Sequence, residues 1–388
     1  MLIPPVFFRS VIAMRRKIYI IGILCGILLL TGCEKGKNIS NKAEQITSNV
    51  IKKASYKDGD TIQKQIDTNI KINAEVNIPE SLQSLKINKT KAYRPNLNEK
   101  NIKEIFFQKN DKLFKNIDSG YNSREFGKYD SICYTSADGA SLIYEPADIE
   151  YSNLNREYYL NCLFTDPQFE DYNLDRYPQS EELSFAKKEK VFQKIKKVFD
   201  TLNIPISEDY TSYSLNHKQL KKEEKAMDSN GNIHTENEKK SWKEDDDAYY
   251  FILHQEINGV PIEQSGYGDG YTGTGVEETK LEVIYGKKGW ISFEEQWGYS
   301  LEQTDTVWNI IPVKKALEYF QKKCDMLVLN EKWNISEISL KLLPVFKKNN
   351  DYEIRPVWFF EGDSLDQDKK EHKITIIFDA ITGKEITT

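Results

Sequence analysis

The sequence predicts an α+β protein: repeated units of antiparallel sheet, each packed on a single helix, behind a leader and a polar tether. Three observations carry that prediction. Many short runs alternate apolar and polar residues, as half-buried strands do. Three stretches instead repeat apolar residues every three to four positions, as amphipathic helices do. Helix followed by antiparallel strands also recurs along the chain, which reads as a divergent internal repeat. The expected parts are a leader at 1–32, a flexible tether over 33–70 that starts at Cys33, and three α+β units over 71–182, 183–305 and 306–388.

The leader comes first. Arg15, Arg16 and Lys17 form a basic flank, Ile18 to Leu30 is an apolar run of 13 residues, and Leu30-Thr31-Gly32-Cys33 closes it. A membrane span needs about 20 apolar residues. A shorter run behind a basic flank fits a secretory signal. Met14 is a candidate start, since residues 1–13 add nothing a signal needs. The closing four residues resemble the lipobox of bacterial lipoproteins. That resemblance implies that Cys33 takes a diacylglycerol and becomes the mature N-terminus, anchored by lipid on the outer face of the membrane. Two or more acyl chains make a lasting anchor, at about 0.8 kcal/mol per buried methylene. Residues 34–70 are polar and rich in Lys, Asn, Ser and Gln, so they read as a tether.

Composition limits the partners. Residues 1–32 carry four basic residues and no acids, so the chain without them has a net charge of −10. That argues against nucleic acid and against adhesion to anionic lipid by charge. Of the remaining cysteines, Cys133 and Cys162 can pair outside the cytoplasm or stay as free thiols; Cys324 is left over. The four histidines are scattered, with no His-Glu-x-x-His and no zinc-type cysteine spacing. No Gly-x-Ser-x-Gly elbow occurs. No metal, cofactor or catalytic set is expected.

The elements follow in order. Strands are expected over 69–79 and 82–93, and a helix over 96–114 with Ile102, Ile105, Phe106, Leu113 and Phe114 on one stripe. Asp138-Gly139 marks a hairpin within 131–145, and 157–164 reads as a strand. In the second unit, Val191, Phe192, Ile195, Val198, Phe199 and Leu202 keep the helical period, and Pro205 ends it. A strand at 209–216 and a charged loop at 217–247 follow. Two strands then flank Asn258-Gly259, the strongest short hairpin signal in the chain. A further hairpin covers 280–300. In the third unit, Pro312 opens a helix buried through Val313, Ala316, Leu317, Phe320 and Cys324. Strands at 335–346, 352–360 and 373–386 close the chain, with a charged loop at 361–371.

Two stretches carry a resemblance. Gln255, Asn258, Gly259, Val260 and Pro261 are similar to a motif of the fungalysin/thermolysin propeptide family. Ala316, Pro356-x-Trp358 and Asp379-Ala380-x-Thr382-Gly383-Lys384 resemble a PepSY-type domain, a PepSY-like or cystatin-like unit. The chain after its leader also looks like an uncharacterised family of Gram-positive lipoproteins with such repeats. The likeness covers roughly residues 185–388. It implies a non-catalytic module that binds or regulates a secreted or envelope protein. The alternatives are a solute-capture lipoprotein feeding a transporter, or a surface hydrolase.

The glycine-rich stretch 265–275 offers a candidate phosphate cradle. A Walker-type loop needs Gly-Lys-Ser/Thr opening a helix, whereas Gly275 leads into Val276-Glu277-Glu278 and a strand. No nucleotide is expected. Tyr267, Tyr271 and Trp290 form a candidate aromatic contact surface.

Overall fold

Alternating burial defines the strands. Ile70, Ile72, Ala74 and Val76 are fully buried, and the residues between them face solvent. That places one face of the strand on a core and the other outside. The computed structural model describes residues 55–388, apart from 109–110, 124, 167–170, 229–230, 268–274, 328, 330, 349–350, 367 and 387–388.

Strands are numbered in chain order. The first sheet contains β1 (Thr61–Gln65), β2 (Ile70–Asn77), β3 (Lys86–Tyr93), β16 (Ser300–Asn309), β17 (Lys332–Lys348), β18 (Asp351–Leu365), β19 (Glu371–Asp379) and β20 (Glu385–Ile386). Its order is β1-β2-β17-β18-β19-β20, and β3 pairs with both β16 and β18. The second sheet contains β4 (Leu113–Ser123), β5 (Gly127–Ser136), β6 (Ser141–Glu145), β7 (Asp148–Ser152), β10 (Thr211–Leu215), β11 (Ala248–Ile252), β14 (Lys280–Gly286) and β15 (Gly289–Gln296). It is antiparallel throughout, in the order β10-β11-β14-β15-β7-β6-β5-β4. Two small hairpins stand apart: β8 (Phe164–Asp166) with β9 (Asp171–Tyr172), and β12 (Glu256–Ile257) with β13 (Val260–Pro261).

The expected architecture of repeated units, each a sheet on a single helix, is not the fold. The protein is mostly β, with two eight-stranded sheets and five α-helices among the described residues. Each sheet draws strands from distant parts of the chain. Edge pairing gives the reason. β17 is 17 residues long, and the first half of it would expose a row of unpaired backbone groups. β2 covers that edge in parallel, from Trp333↔Ile70 to Ser339↔Asn77. Beyond β2 the same edge is met by Ile262, which bridges Leu342.

The helices are α1 (Glu99–Phe106), α2 (Arg156–Leu163), α3 (Lys188–Thr201), α4 (His217–Glu223) and α5 (Val313–Cys324). α5 buries Val313, Ala316, Leu317, Phe320 and Cys324 in one core with Ile70, Ile72, Ile335, Trp358 and Phe360. α3 buries Val191, Phe192, Ile195 and Phe199 in another with Phe251 and Phe293.

Three local expectations are corrected. The run at 157–164 is helix α2: its buried residues Tyr159, Cys162 and Leu163 lie at i, i+3 and i+4, a spacing that a strand would split between two faces. α1 stops at Phe106, and Leu113 and Phe114 open β4. The charged stretch after 216 begins with α4, capped by the Asn216 side chain, which accepts from Gln219 N at 3.0 Å. The Asn-Gly signal holds: Asn258 (φ 53°) and Gly259 (φ 78°) both take the left-handed conformation of a two-residue hairpin between β12 and β13.

Candidate functional site

The first sheet turns one face to α5 and leaves the opposite face open at one end. Register fixes which residues line that end. Lys71 on β2 pairs with Asn334 on β17, Asn334 with Asp363 on β18, and Asp363 with Lys373 on β19. In the next row Lys332 pairs with Leu365 and Leu365 with Glu371. Ile70, Ile72 and Ile335 point into the core, so alternation puts Lys71, Lys332 and Asn334 on the outer face. An open cavity of about 520 Å³ lies here, lined by Gln65, Thr68, Lys71, Lys332, Asn334, Asp363, Leu365 and Glu371 among others. A second, of about 300 Å³, is lined by Glu337, Glu361, Lys373 and Thr375. Asp363 lines the first and Lys373 the second, and the Lys373 ammonium meets Asp363 at 2.7 Å. Among the described residues Lys71, Lys332 and Glu371 have no ion-pair partner.

A second polar site is buried where the chain crosses from β15 to β16 and so from one sheet to the other. Gln255, 2% exposed, holds the crossing strand by both backbone groups of Tyr299. Its Oε1 accepts from Tyr299 N at 2.8 Å, and its Nε2 donates to Tyr299 O at 2.7 Å and to Pro205 O at 2.9 Å. Arg94, just past β3, pairs through Nε with Glu125 Oε1 at 2.8 Å and donates to Trp297 O and to the Tyr352 hydroxyl. Its guanidinium lies 4.2 Å from the Tyr299 ring centre and 4.7 Å from that of Tyr352. Glu295 is fully buried. Its Oε1 accepts from Gly298 N at 2.9 Å, and Oε2 has no partner among the described residues. Burial pushes the Glu295 carboxyl up to about 7, against the smaller opposing pull of Gly298 N–H and Arg94.

A third cluster lies on the other face of β15. Glu294 takes Arg156 on one oxygen and Lys280 at 2.7 Å on the other. Burial alone would raise its carboxyl, but the two cations outweigh burial and hold it at about 2. Lys280 also meets Glu282 at 3.4 Å, and the Tyr250 hydroxyl donates to Glu282 at 2.7 Å. These groups satisfy one another, as a structural network does.

Tyr267 and Trp290, singled out from sequence, lie on different sheets. Tyr267 packs on the outer face of the first sheet beside Leu343, Val357, Phe359 and Ile377, and its hydroxyl donates to Pro344 O at 2.7 Å. Trp290 belongs to an aromatic cluster of the second sheet, edge-on to Tyr285 at 5.0 Å and to Phe293 at 5.8 Å. Tyr271 and Cys33 lie outside the described residues. Cys133 and Cys162 are free thiols on β5 and α2. The cleft residues Lys71, Lys332, Asn334 and Asp363 were missed; they are placed by strand register, which side-chain type does not announce.

No protein-family model matches this sequence. No curated protein matches it. Among solved structures the chain is similar to an uncharacterised protein from Eubacterium rectale ATCC 33656, with 17% sequence identity and a TM-score of 0.55, over 84% of this chain and 93% of that one. At that identity the likeness shows the fold alone. Among the described residues no helix is long and apolar enough to cross a membrane.

Proposed function

We propose that this chain is a lipid-anchored lipoprotein on the outer face of the cell membrane that acts as a non-catalytic binding or regulatory module at the envelope. The observation that carries the reading is the basic, apolar, Leu30-Thr31-Gly32-Cys33 stretch, with the polar tether and β-rich body after it. The open end of the first sheet supports it from another side. Cavities of several hundred cubic ångströms on the sheet suit ligand capture, and the lysines there that have no ion-pair partner among the described residues leave charge available to a partner.

Radiolabelled palmitate is expected to enter the wild-type protein and not Cys33→Ala; equal labelling of the two removes the anchor. Capture from envelope extracts then tests the binding role. Hydrolysis of a polysaccharide or peptide by the purified protein would overturn the non-catalytic reading.

A further inference from the structure

We infer that the larger cavity at the open end of the first sheet binds a carboxylate-bearing saccharide. This rests on the reading of the chain as a binding module and narrows it to a ligand class.

Charge is the first ground. Acids outnumber bases in this chain, yet two exposed lysines stand on one cavity with no carboxylate partner among the described residues. Trp333 pairs with Ile70, so Lys332 and Lys71 sit on neighbouring strands two residues out of step. Strand geometry then puts their Cα atoms roughly 8 Å apart. Both project from the same face. Ammonium groups carried on such neighbouring Cα positions repel each other where they converge, and an oxyanion held between them replaces repulsion by attraction.

The neighbouring groups define the rest of the ligand. Asp363 is neutralised by Lys373 at 2.7 Å and does not oppose an anion. Asn334 pairs with Lys71 in register and lies two residues beyond Lys332; among the described residues neither its side-chain amide nor the Thr68 hydroxyl has a hydrogen-bond partner. An amide offers donors and an acceptor together, which suits adjacent sugar hydroxyls. Leu365, half-buried in the middle of the row, offers an apolar contact to the carbon-bound hydrogens of a ring. The cavity of about 520 Å³ falls in the range of small-ligand sites.

Full-length protein in detergent, titrated calorimetrically with a short oligogalacturonate, is expected to bind, and more weakly as salt rises. A neutral cello-oligosaccharide is expected to bind far less. Lys71→Met with Lys332→Met, checked for an unchanged Tm, is expected to lower affinity about tenfold. Glu371→Gln, which removes a like charge from the rim, is expected to raise it about twofold. The proposal falls if the oligogalacturonate does not bind, if the neutral oligomer binds as well, or if the lysine variant binds as tightly as wild type. Binding of the neutral oligomer alone would sink the ligand class and leave the binding-module reading standing.

Discussion

Replacing Glu295 by Gln is expected to stabilise the protein at pH 8 and to change it little at pH 5. Glu295 is fully buried, one carboxylate oxygen has no partner among the described residues, and burial raises its carboxyl from 4.5 to about 7. The folded state therefore holds a proton that the unfolded chain releases near 4.5. Stability from this group is fully present below about 4.5 and is lost as pH rises through about 7. The whole interval corresponds to roughly 3 kcal/mol. Gln keeps the oxygen that accepts from Gly298 N and cannot ionise, so the loss disappears in the variant. Part of the gain is offset, because the new amide N–H₂ sits where Oε2 found no partner. The expected gain at pH 8 is thus about 2 kcal/mol. Urea unfolding of wild type and variant, followed by tryptophan fluorescence at pH 5 and pH 8, reads it directly. Other groups titrate too, Asp148 among them, whose carboxyl burial and the nearby Glu150 push upward. The difference between the two proteins isolates Glu295. Equal stability of wild type and variant at both pH values would refute the reasoning.

Two further substitutions probe the joints of the fold. Gln255→Ala leaves Tyr299 N–H, Tyr299 O and Pro205 O without the amide that holds them, and is expected to cost about 3 kcal/mol in urea unfolding; a loss below about 1 kcal/mol would show that the clamp is not needed. Gly383 has φ +70°, and a Cβ there would run into the Tyr319 ring of α5. Gly383→Ala is expected to lower stability by about 2 kcal/mol, and an unchanged thermal midpoint would contradict the close approach.

Periodicity made the core of this fold legible and the cleft illegible, for one physical reason. The stripes of α3 and α5 are written in apolar residues because each must bury one face. The Asn258-Gly259 turn is written in the two residues that take a left-handed backbone without strain. The ends of β17 and β18 carry no such mark. Lys332 and Asn334 precede the apolar run that announces β17, Asp363 and Leu365 fall in what reads as a charged loop, and Gln65 and Thr68 in what reads as tether. These residues are ordered by backbone pairing, as in Lys332↔Leu365↔Glu371 and Lys71↔Asn334↔Asp363, and backbone hydrogen bonds leave no signature in side-chain type. The assembly of the sheets was illegible for the same reason, since β2 meets β17 across some 260 residues of chain. Gln255 shows the intermediate case. Its motif stands out in the sequence, but its role depends on Tyr299, 44 residues away.

The contrast between the two faces of the first sheet carries the functional argument. Towards α5, packing fixes residue type: Ile70, Ile72 and Ile335 have no exposure and little freedom to change. On the outer face the covered part is equally constrained, with Leu343, Val357, Phe359 and Ile377 under Tyr267. Past that cover, packing makes no demand on Lys71, Lys332 or Asn334, and a strand surface needs only to be polar there. Charge balance alone would then favour pairing, as Lys373 pairs with Asp363 and Lys341 with Glu361 on the same face at 2.7 and 2.8 Å. Among the described residues Lys71 and Lys332 depart from that pattern within one cavity, and their uncompensated charge is what an anionic ligand would meet there.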